Sequence, residues 1–308
     1  MNHAGSPVTV RTMIEVELHE DPAAFLAAAG DHLAREPVVS TVVTTVAESA
    51  VRDDAAGVGY DAPYRWWAVL RDDAGAVIGA GMRTAPFEPY PLFLLSMPDE
   101  AAMALARYLH EREEPVTGVN GALPAARTCA EELARLTGCR VEISMHTRLH
   151  RLDELVPPRP ARGALRPAAA QDLGLALAWY EAFALDADEQ AGRPPGSMHD
   201  VAETEETMLR RVEAGRVWLW TDESGLPVHL SAVNAPAFGA ARIGPVYTPK
   251  EHRGRGYAGN AVAGLSQRIL ESGAVPCLFT DQANPASNAL YAALGYRPVV
   301  DMVNVLVR

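Results

Sequence analysis

Apolar and polar positions alternate along the chain with two different periods, and the switches between periods mark the elements. Asp21-Pro22 followed by Ala-Ala-Phe-Leu-Ala-Ala-Ala predicts a helix to Leu33, with the proline in its first turn. A rougher helical pattern covers Val38 to Val51. Arg65-Trp-Trp-Ala-Val-Leu70 and Val77-Ile-Gly-Ala-Gly-Met-Arg83 read as strands around Asp72-Asp-Ala-Gly75, a hairpin signature. Leu92 to Ser96 is a short buried strand, Asp99 to Glu111 an amphipathic helix and Val116 to Val119 another strand. A helix from Ala125 to Leu136 and a strand or hairpin from Arg140 to Leu152 close this run. Residues 1 to about 11 read as a frayed tail, and Pro157-Pro-Arg-Pro160 as a linker.

After the linker the order restarts. Leu165-Arg-Pro leads into a helix from about Ala168 to Ala184, then a polar stretch from Asp186 to Ser197, then a helix from Met198 to Ala214. Val217 to Trp220 and Val228 to Asn234 form a second hairpin. Ile243-Gly-Pro-Val-Tyr-Thr-Pro249 is the next strand and runs into a glycine-broken turn and a helix to about Leu270. Val275 to Asp281 is a strand, Pro285 to Leu294 a helix and Val299 to Val307 the last strand.

The repeat holds position by position. Gly75 and Ala85-Pro86 match Gly225 and Ala235-Pro236 at an offset of 150, while Gly138, Arg140 and Met145 match Gly295, Arg297 and Met302 at 157. Pro98 and Pro249, offset by 151, both close the third strand of their half, so most of the inserted length lies just beyond Pro249. There the second half has Lys250-Glu-His-Arg-Gly-Arg-Gly256, where the first has only Asp99-Glu-Ala-Ala102. Glycines at such a turn let the backbone approach a ligand, and the first amides of the helix lack internal partners. A helix N-terminus flanked by arginines is an anion site. The turn is neither a Walker loop nor a dinucleotide fingerprint.

The remaining features narrow the class. The chain has 308 residues, 48% hydrophobic and 21% charged, which suits two soluble domains. A formal charge of −12 argues against nucleic-acid or anionic-membrane partners, without removing a local basic site. Three cysteines without paired spacing, Cys129, Cys139 and Cys277, suggest neither a disulfide framework nor a metal site. With no signal-like or membrane-length segment, a cytoplasmic location is expected.

At this point the chain resembles the GNAT superfamily of acyl-CoA-dependent N-acyltransferases over about residues 164–308. Arg253-Gly-Arg-Gly256-Tyr-Ala258 fits that family's pyrophosphate motif, and Asn284-Pro-Ala-Ser287-Asn-Ala-Leu-Tyr291-Ala-Ala-Leu-Gly295-Tyr296 fits its second signature. Gly-Pro-Val-Tyr-Thr-Pro is most similar to the glycine N-acyltransferase-like branch. The resemblance implies an α/β fold, more closely an α+β mixed sheet. It implies tandem GNAT-like domains, each a mixed, mostly antiparallel twisted sheet flanked by helices. Residues 12–155 would be a degenerate domain without the pyrophosphate turn, and 164–308 the catalytic one.

The resemblance also implies site roles. Val246, Tyr247 and Thr248 would offer backbone groups to the pantetheine arm, a form of strand addition. Arg253, Gly254, Arg255, Gly256, Tyr257, Ala258 and Gly259 would hold the pyrophosphate. Asn284 would contact the arm, Ser287 would position its helix start, and Tyr291 would be the general acid. Acetyl-CoA is the expected acyl donor, with no metal, and a small-molecule or peptide amine the acceptor. A monomer or homodimer is expected.

Aminolysis of a thioester needs a neutral amine, a polarised carbonyl and a protonated leaving group. A tyrosine of pKa about 10 stays protonated at neutral pH and donates by position. An amide at Val246 or a neighbour would hold the carbonyl oxygen. A lysine-like amine is neutral in roughly one molecule per 2,500 at pH 7, a cost of about 4.6 kcal/mol, so a base is expected. Asp281 is the first candidate and Glu181 the second, with His229 and His252 read as structural or solvated. Glu203-Thr-Glu-Glu206, Asp186, Asp188 and Glu189 would favour a cationic acceptor. Trp66, Trp67, Trp218 and Trp220 read as sheet core. The alternative function is an acyl-CoA sensor or partner-binding module without catalysis, and a third reading is unrelated nucleotide binding.

Overall fold

The computed structural model describes residues 13–58, 63–190, 192–193 and 203–308. The expected frayed tail, the polar stretch beyond residue 193 and the start of the expected helix at Met198 lie outside them. The first half runs β1 (Glu15–His19), α1 (Pro22–Arg35), α2 (Thr41–Ala55), β2 (Trp66–Arg71), β3 (Val77–Arg83), β4 (Leu92–Leu94), α3 (Asp99–Glu111), β5 (Gly118–Ala122), α4 (Ala125–Thr137) and β6 (Val141–Arg151). The second half repeats this order as β7 (Ala164–Pro167), α5 (Leu173–Gln190), α6 (Glu205–Glu213), β8 (Val217–Thr221), β9 (Pro227–Val233), β10 (Ala240–Tyr247), α7 (Tyr257–Glu271), β11 (Val275–Asp281), α8 (Pro285–Ala293) and β12 (Arg297–Val307).

Local chemistry explains the boundaries. The Asp21 carboxylate accepts from Ala23 N at 2.9 Å and caps α1, with Pro22 as its first residue. The two hairpins turn in the same way. Asp72 Oδ1 accepts from Ala74 N and Ala76 N, and Asp222 Oδ1 from Ser224 N and Leu226 N. Gly75 and Gly225 follow at φ of 78° and 85°, conformations open to glycine. Residues 140–152, left open between strand and hairpin, form the single strand β6.

The strand order carries the main departure from expectation. All strands join one sheet in the order β1-β2-β3-β4-β5-β12-β6-β11-β10-β9-β8-β7. Instead of closing two separate sheets, the halves exchange last strands. β12 pairs with β5 of the first half, β6 pairs with β11 of the second, and β6 and β12 pair with each other at the centre. Val303, Val305 and Val307 of β12 therefore bury in the core formed by α3, α4, β4 and β5. Each such buried side chain contributes roughly 1.5–3 kcal/mol, so the first half depends on the end of the chain for its packing.

The helices lie on both faces. α7 and α8 pack on one face of the second half around Ile243, Val262, Leu265, Leu278 and Tyr291. α5 and α6 cover the other around Met208, Val217, Leu219 and Leu230. Trp66, Trp67 and Trp220 are buried in the sheet as expected. Trp218 lies under the Arg268 guanidinium, 4.8 Å from its ring centre. No helix among the described residues is long and apolar enough to cross a membrane.

Candidate active site

The site begins where two parallel strands part. β10 and β11 pair at Ala240–Val275, Ala241–Pro276 and Arg242–Cys277, and no further. β10 then bulges. Ile243 pairs with Val233, but the next pairs are Val246–Ser231 and Tyr247–Leu230. Gly244, at φ 155°, takes a conformation that favours glycine, and Pro245 has no N–H to continue a ladder. β11 meanwhile continues along β6 to the pair Asp281–Thr147. A wedge opens between the strands, and a cleft of about 410 Å³ runs from it.

Val246, Tyr247 and Thr248 form one wall of the cleft. The 3₁₀ turn Lys250–His252 and the turn at Arg253–Gly256 follow, with Gly254 and Gly256 at φ of 75° and 81°. α7 starts only at Tyr257, and its first backbone bond runs from Asn260 N to Gly256 O at 3.1 Å. The amides of Tyr257, Ala258 and Gly259 thus precede the internal ladder and line the cleft with partial positive charge. This is a cradle that fits a diphosphate. A Cβ at Gly254 would meet open space and one at Gly256 only ordinary contacts with Asn260 and Ala161 at 3.6 and 3.7 Å, so it is the backbone conformation that asks for glycine there.

The two arginines of the turn differ. Arg253 donates to Thr248 O at 2.9 Å and pairs with Asp186 of α5, so it ties the turn to the strand end and to that helix. Arg255 is exposed, donates to Glu251 O at 3.2 Å and has no ion pair among the described residues. Arg255 is therefore the cation free to meet an anion.

The opposite wall comes from α8 and α5. Asn284 caps α8 by accepting from Ser287 N at 3.1 Å, and its amide donates to Gln190 Oε1 at 2.9 Å. Tyr291 is 6% exposed and lines the cleft. Its ring meets Tyr296 edge-on at 6.0 Å, while its hydroxyl has no hydrogen-bond partner among the described residues. Burial raises the Tyr291 pKa above the usual tyrosine range, which keeps the proton on the oxygen. Tyr296 instead shares a 2.7 Å bond with Ser266 Oγ. Phe183, Asp186, Ala187 and Gln190 of α5 complete the cleft. Sequence reasoning did not assign Phe183 or Gln190 to the site, because α5 reaches it only through the tertiary fold.

The expected base stands apart from the cleft. Asp281 does not line the cleft. Its carboxylate pairs with Arg193 and accepts from Ala283 N at 2.8 Å, beside His146 and Gln282 in a neighbouring depression. Ending a strand next to Asn284 was not enough to aim it inward. Glu181 is exposed on α5 outside the cleft. His229 is buried behind the wall, and His252 lines the cleft. Of the acidic groups expected to attract a cationic amine, all but Glu205 have an ion pair among the described residues. Asp186 pairs with Arg253 and Lys250, Asp188 with Arg193, Glu189 with Lys250, Glu203 with Arg211 and Glu206 with Arg210.

Comparison with known proteins places this geometry. Residues 235–305, covering the wedge, the turn and α8, match the family described as FR47-like protein. By sequence, the chain matches no curated protein. A GNAT-family acetyltransferase from Colwellia psychrerythraea superposes with a TM-score of 0.53 at 11% identity, over 95% of this chain and 99% of that one. A GCN5-related N-acetyltransferase from Sphaerobacter thermophilus gives 0.53 at 18%, over 97% and 96%. A tandem GNAT protein from the clavulanic acid biosynthesis pathway gives 0.50 at 14%, over 96% and 98%. This chain has the tandem GNAT fold. Val246, Tyr247 and Thr248, expected to offer backbone groups to the arm, stand at the edge of the β10–β11 wedge. Val246, Tyr247, Thr248, Arg253 to Gly259, Asn284, Ser287 and Tyr291 all line one cleft, and Asp281 does not.

Proposed function

We propose that the protein transfers an acetyl or short acyl group from acyl-CoA to a primary amine, by direct attack in a ternary complex. The catalytic unit is residues 164–308, and residues 12–155 are a degenerate companion unit. One observation carries the reading: the first residues of α7, whose amides precede the helix ladder, and Tyr291, whose hydroxyl has no hydrogen-bond partner among the described residues, line the same cleft. The fold supports acyl transfer in general terms.

In this reading the amides from Gly254 to Gly259, with Arg255, hold the diphosphate, and the arm enters the wedge along Val246 to Thr248. An amide near Val246 polarises the thioester carbonyl. The amine attacks, the carbon–sulfur bond breaks, and Tyr291 hydrogen-bonds or protonates the departing sulfur. With Asp281 outside the cleft and Asp186 committed to Arg253 and Lys250, the amine proton passes to water. Thiol release from acetyl-CoA across a panel of amines tests the proposal. Amine-dependent release that collapses in Tyr291→Phe supports it. Binding of acetyl-CoA with no amine consumed would leave the sensor reading in its place.

A further inference from the structure

Behind the cleft wall lies a short buried chain of hydrogen bonds that the reaction above does not use. His229 of β9 is fully buried; its Nδ1 lies 2.7 Å from Thr248 Oγ1 and its Nε2 2.7 Å from Ser231 Oγ. Ser231 is also fully buried and sits opposite Val246 in the β9–β10 register, while Thr248 lines the cleft. Burial pushes the His229 pKa down to about 3, so the imidazole is neutral.

A neutral imidazole has one N–H and one lone pair, so the chain can run in two directions. With the proton on Nε2, the imidazole donates to Ser231 Oγ. The Ser231 O–H then has no acceptor among the described residues and is closed off from water. With the proton on Nδ1, every buried donor is satisfied. Ser231 O–H donates to Nε2, Nδ1–H donates to Thr248 Oγ1, and the hydrogen left over is that of Thr248, which borders the cleft. Buried donors are rarely left unpaired, which selects the second direction.

The first half supplies a control within the same chain. At the offset of 150, Gly79 and Gly81 stand where His229 and Ser231 stand, and at 151 Met97 stands for Thr248. A Cβ at Gly79 would come within 2.8 Å of the Met97 side chain, so an apolar contact occupies the place of the hydrogen bond. The polar chain belongs to the half that has the cleft.

We propose that Ser231 and His229 lock Thr248 as a hydrogen-bond donor toward the cleft, where it meets an acceptor oxygen of the bound ligand, an amide carbonyl or a phosphate oxygen. His229 is then a positioning residue acting through Thr248. The identity of the ligand as acyl-CoA rests on the function proposed above; the direction of the chain does not. Long-range ¹H–¹⁵N NMR of the intact chain with ¹⁵N-labelled histidine tests that direction without ligand. The expected signature for His229 is a neutral ring with hydrogen on Nδ1; hydrogen on Nε2, or a charged ring, would overturn the inference. Acetyl-CoA titration then tests the donor: Thr248→Ser retains the wild-type dissociation constant, and Thr248→Val raises it about five- to tenfold. Ser231→Ala, outside the cleft, raises it as well and gives up the single Nδ1–H signature. Unchanged binding in Thr248→Val would also overturn the inference. Failure of the wild type to bind acetyl-CoA, with the Nδ1–H signature intact, would count against the ligand assignment instead.

Discussion

The two parallel strand pairs, β4–β5 and β10–β11, start from the same plan and end differently. Both pair over three residues. In the first half the backbones stay closed. A Cβ on Gly121 of β5 would come within 2.1 Å of Leu94 O, and one on Gly81 of β3 within 2.7 Å of the Leu94 side chain. α3 begins at Asp99, directly after Pro98, and its first turn carries Asp99 and Glu100 against the positive helix end. In the second half β10 bulges at Gly244–Pro245, and residues 250–256 separate Pro249 from α7. A site appears where one strand is bent away and the following helix starts late. The fold alone does not make it.

Breaking the chemistry at the open pair gives the largest effect. Tyr291→Phe lowers turnover by roughly 10²–10⁴-fold, the range for losing a positioned acid, while calorimetry still detects acetyl-CoA binding. Opening the closed pair gives the next. Gly121 has φ 135° and no room for a side chain, so Gly121→Ala lowers unfolding stability by about 3 kcal/mol in denaturant titration. The surviving folded protein keeps its acetyl-CoA affinity.

Strain at the turn comes third. Gly256 at φ 81° accepts valine poorly, and Gly256→Val weakens acetyl-CoA binding by about tenfold, matching a cost of 1–2 kcal/mol in that conformation. A Glu100→Gln change at the first-half helix start leaves binding unaltered.

The smallest effect separates the helix pairs that follow the two parallel strand pairs. α3 and α4 are joined by Glu132, which takes hydrogen bonds from Arg135 and Arg107, and these hold its carboxyl down to about 2 from 4.5. A depressed carboxyl stabilises the fold above its unfolded pKa and loses that contribution as pH falls from 4.5 toward 2. Glu132→Gln therefore costs about 1 kcal/mol at neutral pH and flattens acid unfolding in that window, as melts at several pH values will show. In the second half no ion pair joins α7 to α8 among the described residues, and Ser266 of α7 instead shares a neutral bond with Tyr296, so no matching acid-sensitive step is expected there.

Much of this contrast was legible in the residues. Asp72 and Gly75, repeated as Asp222 and Gly225, fixed both hairpins through short-range bonds. The late start of α7 followed from the residues inserted after Pro249. The turn glycines and the Asn284–Tyr291 spacing placed their residues in one cleft because each signature spans a single strand–turn–helix unit. What was not legible depends on distant partners. β1 and β7 are edge strands of five and four residues, too short for periodicity to speak. The exchange of β6 and β12 is a choice between equivalent neighbours that no local pattern encodes. The ion pairs of Asp281 and of the acidic residues of α5 were not legible, because they depend on which of Arg193, Arg253 and Lys250 the fold brings beside them.

Isothermal titration of the intact chain with acetyl-CoA addresses the central claim that one half is open and the other closed. The account predicts one site per chain, weakened by Gly256→Val and by Arg255→Ala and unaffected by Glu100→Gln. Two sites per chain, or a single site indifferent to Gly256 and Arg255, would contradict it.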